Sequence, residues 1–505
     1  MNAPLPALLE ELLGRLRASL APEQELYLVG GAVRDMLLGL PLHDLDFVLP
    51  GDALAFSRKV AKALGAAYYP MDVERQTARL ILPHPEGGRL FLDFAAQRGP
   101  DLESDLRARD FTLNALALAL HTPEKLVDPL GGAEDLRRKT LRACTPETFQ
   151  DDPLRVLRAV RQAIALGFQI TPDTRRWLRE ALPILSRASV ERQRDELFRI
   201  LDGRHPASAL RALEMLGVLP YLLPELVDLK GVVQSPPHVA EAWEHTLDTV
   251  ARLASLLDML QPEHDPEAAA NWSLGLVALR LGRYREQLQA HLAEALNPDR
   301  SLRALLLLAA LYHDAGKPAS RQVEAGGRIR FRQHETISAR LVSQRAHALH
   351  LSSDEIERLV HIVRHHMRPL LLAQTGEPPS RRAIYRFFRA AGPAGVDVCL
   401  LALADTLATY GASLPQAQDT WTQLLDVVRA LLEAWWENQP ERVAPPPLLK
   451  GSELIQIFAL KPGPQIGHIL EAIREAQAVG EVQDRQEALA LTRRWLEDRA
   501  TTKQV

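Results

Sequence analysis

Cysteine is nearly absent. The 505-residue chain has two, Cys144 and Cys399, which excludes a disulfide framework and a Cys-rich zinc module and points to a reducing compartment. Aromatic residues make up 5%, too few for an extended base-stacking platform. Neither sign of charge dominates: 60 Lys+Arg against 64 Asp+Glu leave a formal charge of -4. A nucleic-acid partner therefore has to be met by a local patch, not by the field of the whole molecule. Long apolar runs are missing too. Met1 to Leu20 carries Glu10 and Glu11 among its leucines and reads as an amphipathic surface helix, not an export signal. The run Ala304–Tyr312 is only about half of what spans a bilayer. No internal repeat is visible, and low complexity is confined to Ala444-Pro445-Pro446-Pro447. The expectation is a cytoplasmic protein with no membrane partner.

Hydrophobic residues at 47% and charged residues at 25% are the proportions of an ordinary globular chain, and its length predicts about three domains. From Leu26 to about Thr140, short apolar runs (LYLVGG, LDFVLP, ARLILP, RLFLDFA) are punctuated by Gly and Pro and alternate with helical stretches, an α/β pattern. From Asp151 onward the periodicity is helical almost throughout. The predicted architecture is an α/β head over 1–140, an all-α neck over 141–225, an all-α body over 226–440 and a helical tail over 441–505.

Three features of the head carry chemistry. Gly30-Gly31-Ala32-Val33-Arg34-Asp35 follows a strand-like run and precedes a helix-like one. Glycines there let the backbone approach an anion at a helix N-terminus, although a Gly-Gly turn alone is equally a plain tight turn. His43-Asp44-Leu45-Asp46-Phe47-Val48 follows. On a strand, residues i and i+2 share a face, so Asp44 and Asp46 project together while Leu45 and Phe47 face the core. Adjacent carboxylates repel unless they share cations, which suits Mg2+ on a triphosphate and an attacking hydroxyl. Asp93 in Leu90-Phe91-Leu92-Asp93-Phe94 alternates with apolar neighbours in the same way. Solvated charge on a strand face accounts for any one of these acids, but poorly for three of them beside a Gly-Gly turn.

GGAVRDMLLG followed by LHDLDFV resembles the active-site signature of class II tRNA nucleotidyltransferases and bacterial poly(A) polymerases, in the polymerase-β superfamily. Ala108-Arg109-Asp110-Phe111-Thr112-Leu113-Asn114-Ala115 is similar to the family's RRDFTxNA block, whose Arg and Asp select ribose. Ala108 replaces the first Arg, so Arg109 and Asp110 carry over. Asp128-Pro129-Leu130-Gly131-Gly132 with Asp135-Leu136 resembles the hinge between head and neck. The resemblance covers roughly residues 26–220. It implies Asp44, Asp46 and Asp93 as the catalytic acids, with Asp44 and Asp46 holding Mg2+. It also implies Gly30, Gly31, Arg34, Arg109 and Asp110 on the nucleotide.

In the neck, Asp151-Asp152-Pro153-Leu154-Arg155 resembles the family's EDxxR block, which reads the base edge of the incoming nucleotide. A carboxylate accepts from an exocyclic amine and a guanidinium donates to ring nitrogen or carbonyl oxygen. On a helix, Asp152 and Arg155 share a face; Asp as N-cap and Pro at the first position of a helix would account for the same spacing without a ligand. The resemblance implies Asp151, Asp152 and Arg155 as the base-reading block and Arg158 as a further nucleotide-binding residue, and Glu191-Arg192 resembles the next neck motif, a bracing one.

The body holds His245, His313-Asp314 followed by Ala315-Gly316-Lys317-Pro318, His334, His365-His366 and Asp405. The order H…HD…H…D resembles the HD metal-dependent phosphohydrolases. The resemblance implies His245, His313, Asp314 and Asp405 as ligands of a divalent metal of unstated identity, with His334 and His366 in support or on phosphate. A metal-free structural remnant is the alternative. Leu460-Lys461-Pro462-Gly463-Pro464-Gln465-Ile466-Gly467 resembles the tail of the long-form enzymes.

The expected activity is extension or repair of the tRNA 3′ end from CTP, and ATP if A is added, without a nucleic-acid template. A phosphohydrolase acting on 2′,3′-cyclic phosphate or phosphate ends is expected in the body. Family members that add A carry a flexible loop between the third acid and the RRDFT-like block, and here only residues 94–108 lie between Asp93 and Arg109. CC addition alone is therefore expected, with a separate A-adding enzyme as partner. The alternatives are full CCA addition, poly(A) synthesis, or an HD phosphohydrolase with a non-catalytic RNA-binding head.

Overall fold

A computed structural model describes residues 7–21, 24–42, 44–83, 88–122, 125–265, 267 and 270–502. The chain divides into two compact units, 1–196 with 212–221, and 197–211 with 222–505.

The first unit opens with α1 (Ala7–Ser19), whose Leu12, Leu13 and Leu16 are buried, an amphipathic helix within the predicted span; residues 1–6 lie outside the described residues. Then follow β1 (Tyr27–Val29), α2 (Gly31–Leu38), β2 (Asp44–Leu49), α3 (Ala53–Leu64), β3 (Ala67–Asp72), β4 (Thr77–Pro83), β5 (Arg89–Ala96), α4 (Leu102–Arg107), β6 (Ala117–Ala119) and β7 (Leu126–Val127). The seven strands form one sheet in the order β3-β4-β5-β2-β1-β6-β7. β2 and β5 run parallel and their neighbours antiparallel. Period-two alternation explains the packing. Phe47 and Phe94 point to one side, where their rings stack at 5.0 Å and Phe56 of α3 meets Phe94 edge-on at 5.7 Å. Asp44, Asp46 and Asp93 are left on the other side.

The sequence runs anticipated β1, β2, β4 and β5. β3 was not among them: it is an edge strand containing Pro70, with Tyr69 and Met71 exposed, and carries no buried alternation to read. β6 and β7 are too short for a periodic signal.

Beyond the sheet come α5 (Gly132–Arg138), α6 (Thr148–Asp151), α7 (Arg155–Leu166), α8 (Pro172–Glu180) and α9 (Val190–Leu201). At the start of α5 the Asp128 carboxylate accepts from the N–H groups of Gly132 (2.7 Å) and Ala133 (3.0 Å), satisfying donors that have no partner within the helix. Asp135 accepts from Thr112 Oγ1 at 2.6 Å and Arg142 Nε at 3.0 Å, tying α5 to the segment after Arg109-Asp110.

The second unit is helical apart from a hairpin of Arg321–Val323 with Ile329–Phe331, a departure from the all-α expectation. Its centre is built on three helices, Ala242–Met259, Leu302–Tyr312 and Gly395–Tyr410. Every residue from Ala304 to Tyr312 is buried, so the apolar run is core. The stretch between Arg381 and Trp436 is long and apolar enough to cross a bilayer, and its most apolar window is 78% buried inside the protein, the environment of a core helix. Residues 449–496 close a small core of their own around Leu454, Ile469 and Ile473.

The tightest packing in the first unit sets a stability test. A Cβ built on Gly132 would lie 2.1 Å from the Thr112 carbonyl oxygen. Gly132→Ala should cost about 2–3 kcal/mol by overpacking, read as a lower unfolding midpoint. Gly14→Ala should cost nothing, since a Cβ there meets open space.

Candidate active sites

The parallel register of β2 and β5 sets Asp46 directly opposite Asp93. Asp44 lies two residues before Asp46 on the same face, so the three predicted acids are brought together. Their repulsion is relieved from two sides. Arg79, opposite Asp93 on β4, donates to both Asp93 oxygens at 2.8 and 2.7 Å. Arg109 is held by Asp105 through Nε and Nη2 at 3.2 and 3.1 Å, and its Nη1 lies beside Gly30. Gly30 has a φ of +77°, and a Cβ there would come within 3.0 Å of Arg109 Nη1 and 3.2 Å of Asp46 Oδ2. Glycine is thus required both by conformation and by the space the acid and the arginine occupy. Burial pushes the Asp46 carboxyl up to about 6; Arg109 opposes the rise, and Asp93 and Asp44 add to it.

Gly31, Arg34 and the acids Asp44 and Asp46 line a cavity of about 400 Å³ together with Arg109, Asp110 and Arg158. Arg34 donates to both Asp35 oxygens and to Asn114 Oδ1, each at 2.8 Å. Asp110 differs from the expectation of a group free to meet a ribose, because its oxygens are engaged within the protein. Oδ1 accepts from Phe111 N and Asn114 Nδ2, both at 2.8 Å, and Oδ2 from Arg158 Nη2 at 2.7 Å. Burial would raise its pKa, but the Arg158 charge and these bonds hold it below the usual carboxylate range.

The neck departs from prediction at both members of the base-reading pair: the Arg155 guanidinium donates to the Ala108, Thr148 and Arg109 carbonyls, and Asp152 stands outside any helix. Asp152 is extended (φ -148°, ψ 99°) between α6 and α7, and Leu154 is the N-cap of α7. Asp152 and Arg155 therefore do not share a helix face, because Pro153 interrupts the helix between them. Both still line one groove of about 1310 Å³ with Asp151, Arg75, Arg98 and Arg192. Arg192 Nη1 and Nη2 donate to Asp152 Oδ1 and Oδ2 at 3.2 and 2.7 Å.

In the second unit the predicted histidines and aspartates converge. His245 Nε2 lies 3.0 Å from Asp405 Oδ1 and 3.4 Å from Asp314 Oδ2. His313 Nε2 lies 3.1 Å from Asp314 Oδ2. On its other oxygen Asp314 meets His334 Nε2 at 3.2 Å, and His334 Nε2 is 3.4 Å from His366 Nε2. Two sets, His245/His313/Asp314 and Asp314/His334/His366, each keep their ligand atoms within 4.8 Å. The Nδ1 atoms of His313, His334 and His366 lie 2.7–2.8 Å from carbonyls three residues earlier. A proton on each Nδ1 leaves Nε2 as the inward donor, the arrangement metal-binding histidines use. His245 Nε2 and His313 Nε2 are buried without a hydrogen-bond partner and converge with the Asp314 carboxylate, so the donor set fits a divalent cation. Burial alone would lower His313, but Asp314 and Asp405 push it up to about 10; burial and the charges of His313 and His334 push His366 down to about 3. Gly316 makes the set possible, since a Cβ there would sit 2.4 Å from the His334 carbonyl oxygen.

Sequence reasoning missed Arg79, Asp105 and Lys317. Lys317 Nζ lies 2.5 Å from Asp314 Oδ2, one helical turn after the dyad, where i,i+3 spacing could have flagged it. Arg79 was legible as the one charged side chain inside ARLILP. Asp105 carried no signal of its own.

Three family models match the chain: "Poly A polymerase head domain" over 26–142, "Probable RNA and SrmB- binding site of polymerase A" over 167–229, and "HD domain" over 277–410. An A-adding tRNA nucleotidyltransferase of Deinococcus radiodurans is 34% identical over 478 residues, covering 93% of this chain and 95% of that protein. A CC-adding tRNA nucleotidyltransferase of Thermus thermophilus is likewise 34% identical over 478 residues, covering 92% and 93%. Among solved structures, a CCA-adding enzyme complexed with ATP superposes at a TM-score of 0.60 with 22% identity, over 98% of this chain and 95% of that one; at this identity the likeness shows the fold alone.

The raised Asp46 pKa has a measurable consequence. In metal-free protein the native state keeps a proton on Asp46 between the ordinary carboxylate value of 3.8 and about 6, so its contribution to stability falls as pH rises through that window. Asp46→Asn should therefore stabilise the chelated protein by about 3 kcal/mol at pH 7.5 and by under about 1 kcal/mol near pH 4. Thermal unfolding in EDTA at both pH values checks it; an equal gain at both would contradict the assignment.

Proposed function

The chain belongs to the tRNA nucleotidyltransferase family, and on that premise we propose that it adds C-C, without the terminal A, to the tRNA 3′ end in the cytoplasm. The observation that carries the catalytic part is the register that pairs Asp46 with Asp93 beside Asp44. In this reading the head (1–140) does the chemistry, the neck (141–225) reads the base, 226–440 is an HD phosphohydrolase, and 441–505 is a tail.

Asp44 and Asp46 would hold Mg2+, which neutralises triphosphate charge and lowers the pKa of the primer hydroxyl. The 3′ hydroxyl loses its proton to solvent as its oxygen attacks the α-phosphorus of CTP in line, the bond to the bridging oxygen breaks, and pyrophosphate leaves. Asp93, fixed by Arg79, closes the acidic cluster. Gly31 offers its backbone N–H to the phosphates at the start of α2, and Gly30, whose own N–H donates to the Leu116 carbonyl, gives the turn the room and conformation for that approach. Arg109 stands over the acids and meets the ribose, while Asp110 keeps Arg158 in place. Asp152 accepts from the exocyclic amine of cytosine, while Arg155, whose guanidinium donates to the Ala108, Thr148 and Arg109 carbonyls, holds the segment that carries Arg109 instead of reading the base.

Specificity for C-C rests on a short connection. β5 ends at Ala96 and α4 begins at Leu102, so residues 97–101 leave no room for a mobile loop that could reset the pocket from C to A. Three relatives similar over more than nine-tenths of the chain carry the name CC-adding, and one A-adding. The test is addition to tRNA lacking its three terminal nucleotides, and to tRNA ending in C-C, with CTP, ATP or both. We expect two nucleotides from CTP and no extension of tRNA-CC by ATP. Stoichiometric A on tRNA-CC would overturn the CC-only reading and leave the family assignment intact.

For the HD region we propose hydrolysis of 2′,3′-cyclic phosphate or terminal phosphate at a cation held by His245, His313, Asp314 and Asp405, with His334 and His366 alongside. The buried, unbonded Nε2 atoms of His245 and His313 support this. His313→Ala should abolish metal-dependent hydrolysis of a 2′,3′-cyclic nucleotide and leave CTP addition within about twofold. Loss of CTP addition in the folded variant would refute two separate centres.

A further inference from the structure

Asp152 and Arg155 are differently placed to read a base. The Arg155 guanidinium is spent on backbone: Nη2 donates to Ala108 O at 2.9 Å, and Nη1 to Thr148 O at 3.1 Å and Arg109 O at 3.4 Å. It staples the segment that aims Arg109. Asp152 is held instead by Arg192, whose two terminal nitrogens take one carboxylate oxygen each, while Asp152 Oδ1 also accepts from Leu154 N at 3.2 Å. The Arg192 side chain is 52% exposed and that of Asp152 26%. Both residues line the groove of about 1310 Å³ and the adjoining cavity of about 250 Å³ that reaches Arg109 and Asp110.

We propose that Arg192 is a positioning residue for nucleotide choice: it clamps Asp152 so that the carboxylate presents an acceptor, and nothing but an acceptor, to the incoming base. The inference rests on Asp152 reading the base.

The logic is one of donors and acceptors. Cytosine offers an N4 amine that can displace one of the two Arg192 bonds and take its place on the carboxylate. Uracil offers O4, an acceptor, which meets a carboxylate oxygen unfavourably. A guanidinium released from Asp152 would instead donate to O4 and welcome uracil. The clamp therefore acts twice, orienting the acid and hiding a donor that would favour the wrong base. Arg192→Ala leaves the carboxylate free to turn away, so CTP addition should fall while UTP addition changes little. Bracing alone would lower both together.

The experiment measures kcat/KM for CTP and UTP on the full chain, with tRNA lacking its terminal nucleotides, for wild type, Arg192→Ala, Arg192→Lys and Asp152→Ala. We expect the CTP/UTP ratio to fall about tenfold in Arg192→Ala. Arg192→Lys, which keeps the charge and loses the two-pronged geometry, should fall in between. Asp152→Ala, which frees Arg192, should show the lowest ratio. If Asp152→Ala collapses the ratio and Arg192→Ala leaves it at the wild-type value, the clamp is refuted while base reading by Asp152 stands. If Asp152→Ala itself leaves the ratio unchanged, base reading falls and the clamp with it. Should Arg192→Ala fail to fold, Arg192→Lys carries the test, and an unchanged ratio there refutes the clamp.

Discussion

Three carboxylates forced onto one face of a sheet govern the first unit. Asp46 and Asp93 stand opposite each other because β2 and β5 run parallel in that register, and neither can turn away without taking Phe47 or Phe94 out of the core. A fold that sets like charges side by side, with Asp46 and Asp93 half-buried, gives up stability for function. The surroundings limit the cost. Arg79 takes both oxygens of Asp93, Arg109 approaches Asp46 across Gly30, and Asp105 fixes Arg109 from behind. Each arginine comes from a different element, so the sheet register, the glycine turn and the segment after α4 all serve one electrostatic problem. What stays uncompensated, the raised Asp46 carboxyl, is what a divalent cation would relieve.

The second unit meets the same problem with other chemistry. Asp314 touches His313, His334 and Lys317 in an interior that burial would make hostile to charge. There the carboxylates stay ionised, well below their ordinary pKa, although burial pushes the other way, because imidazoles and the lysine crowd them. His313, His334 and His366 keep their tautomers through backbone carbonyls three residues earlier. Both centres owe their geometry to regular elements, the more precise support for a reacting group.

Much of this could be read from residue order. Period-two alternation in DLDFV and LFLDFA placed the acids on one face and the phenylalanines on the other, and the order of His and Asp along the helical body marked the second cluster. What stayed illegible depended on long-range register or on a break in local periodicity. No pattern in the chain says that Arg79 faces Asp93, because that follows from how β4 pairs with β5. Spacing puts Asp152 and Arg155 on one helix face, whereas Pro153 parts them and leaves the acid to Arg192, forty positions along the chain. Asp110 was read as a ligand-facing group, yet its neighbours saturate it, which only the folded arrangement of Asn114 and Arg158 reveals.

The central claim is that Asp44 and Asp46 hold the cation at which the nucleotide reacts. The most direct test is a crystal structure of the chain with CTP and Mn2+, with the metal located by its anomalous scattering. The account predicts a Mn2+ peak between the Asp44 and Asp46 carboxylates, in contact with the triphosphate, and the cytosine amine within hydrogen-bonding distance of Asp152. A triphosphate bound away from Asp44 and Asp46, with no Mn2+ at either carboxylate, would contradict it.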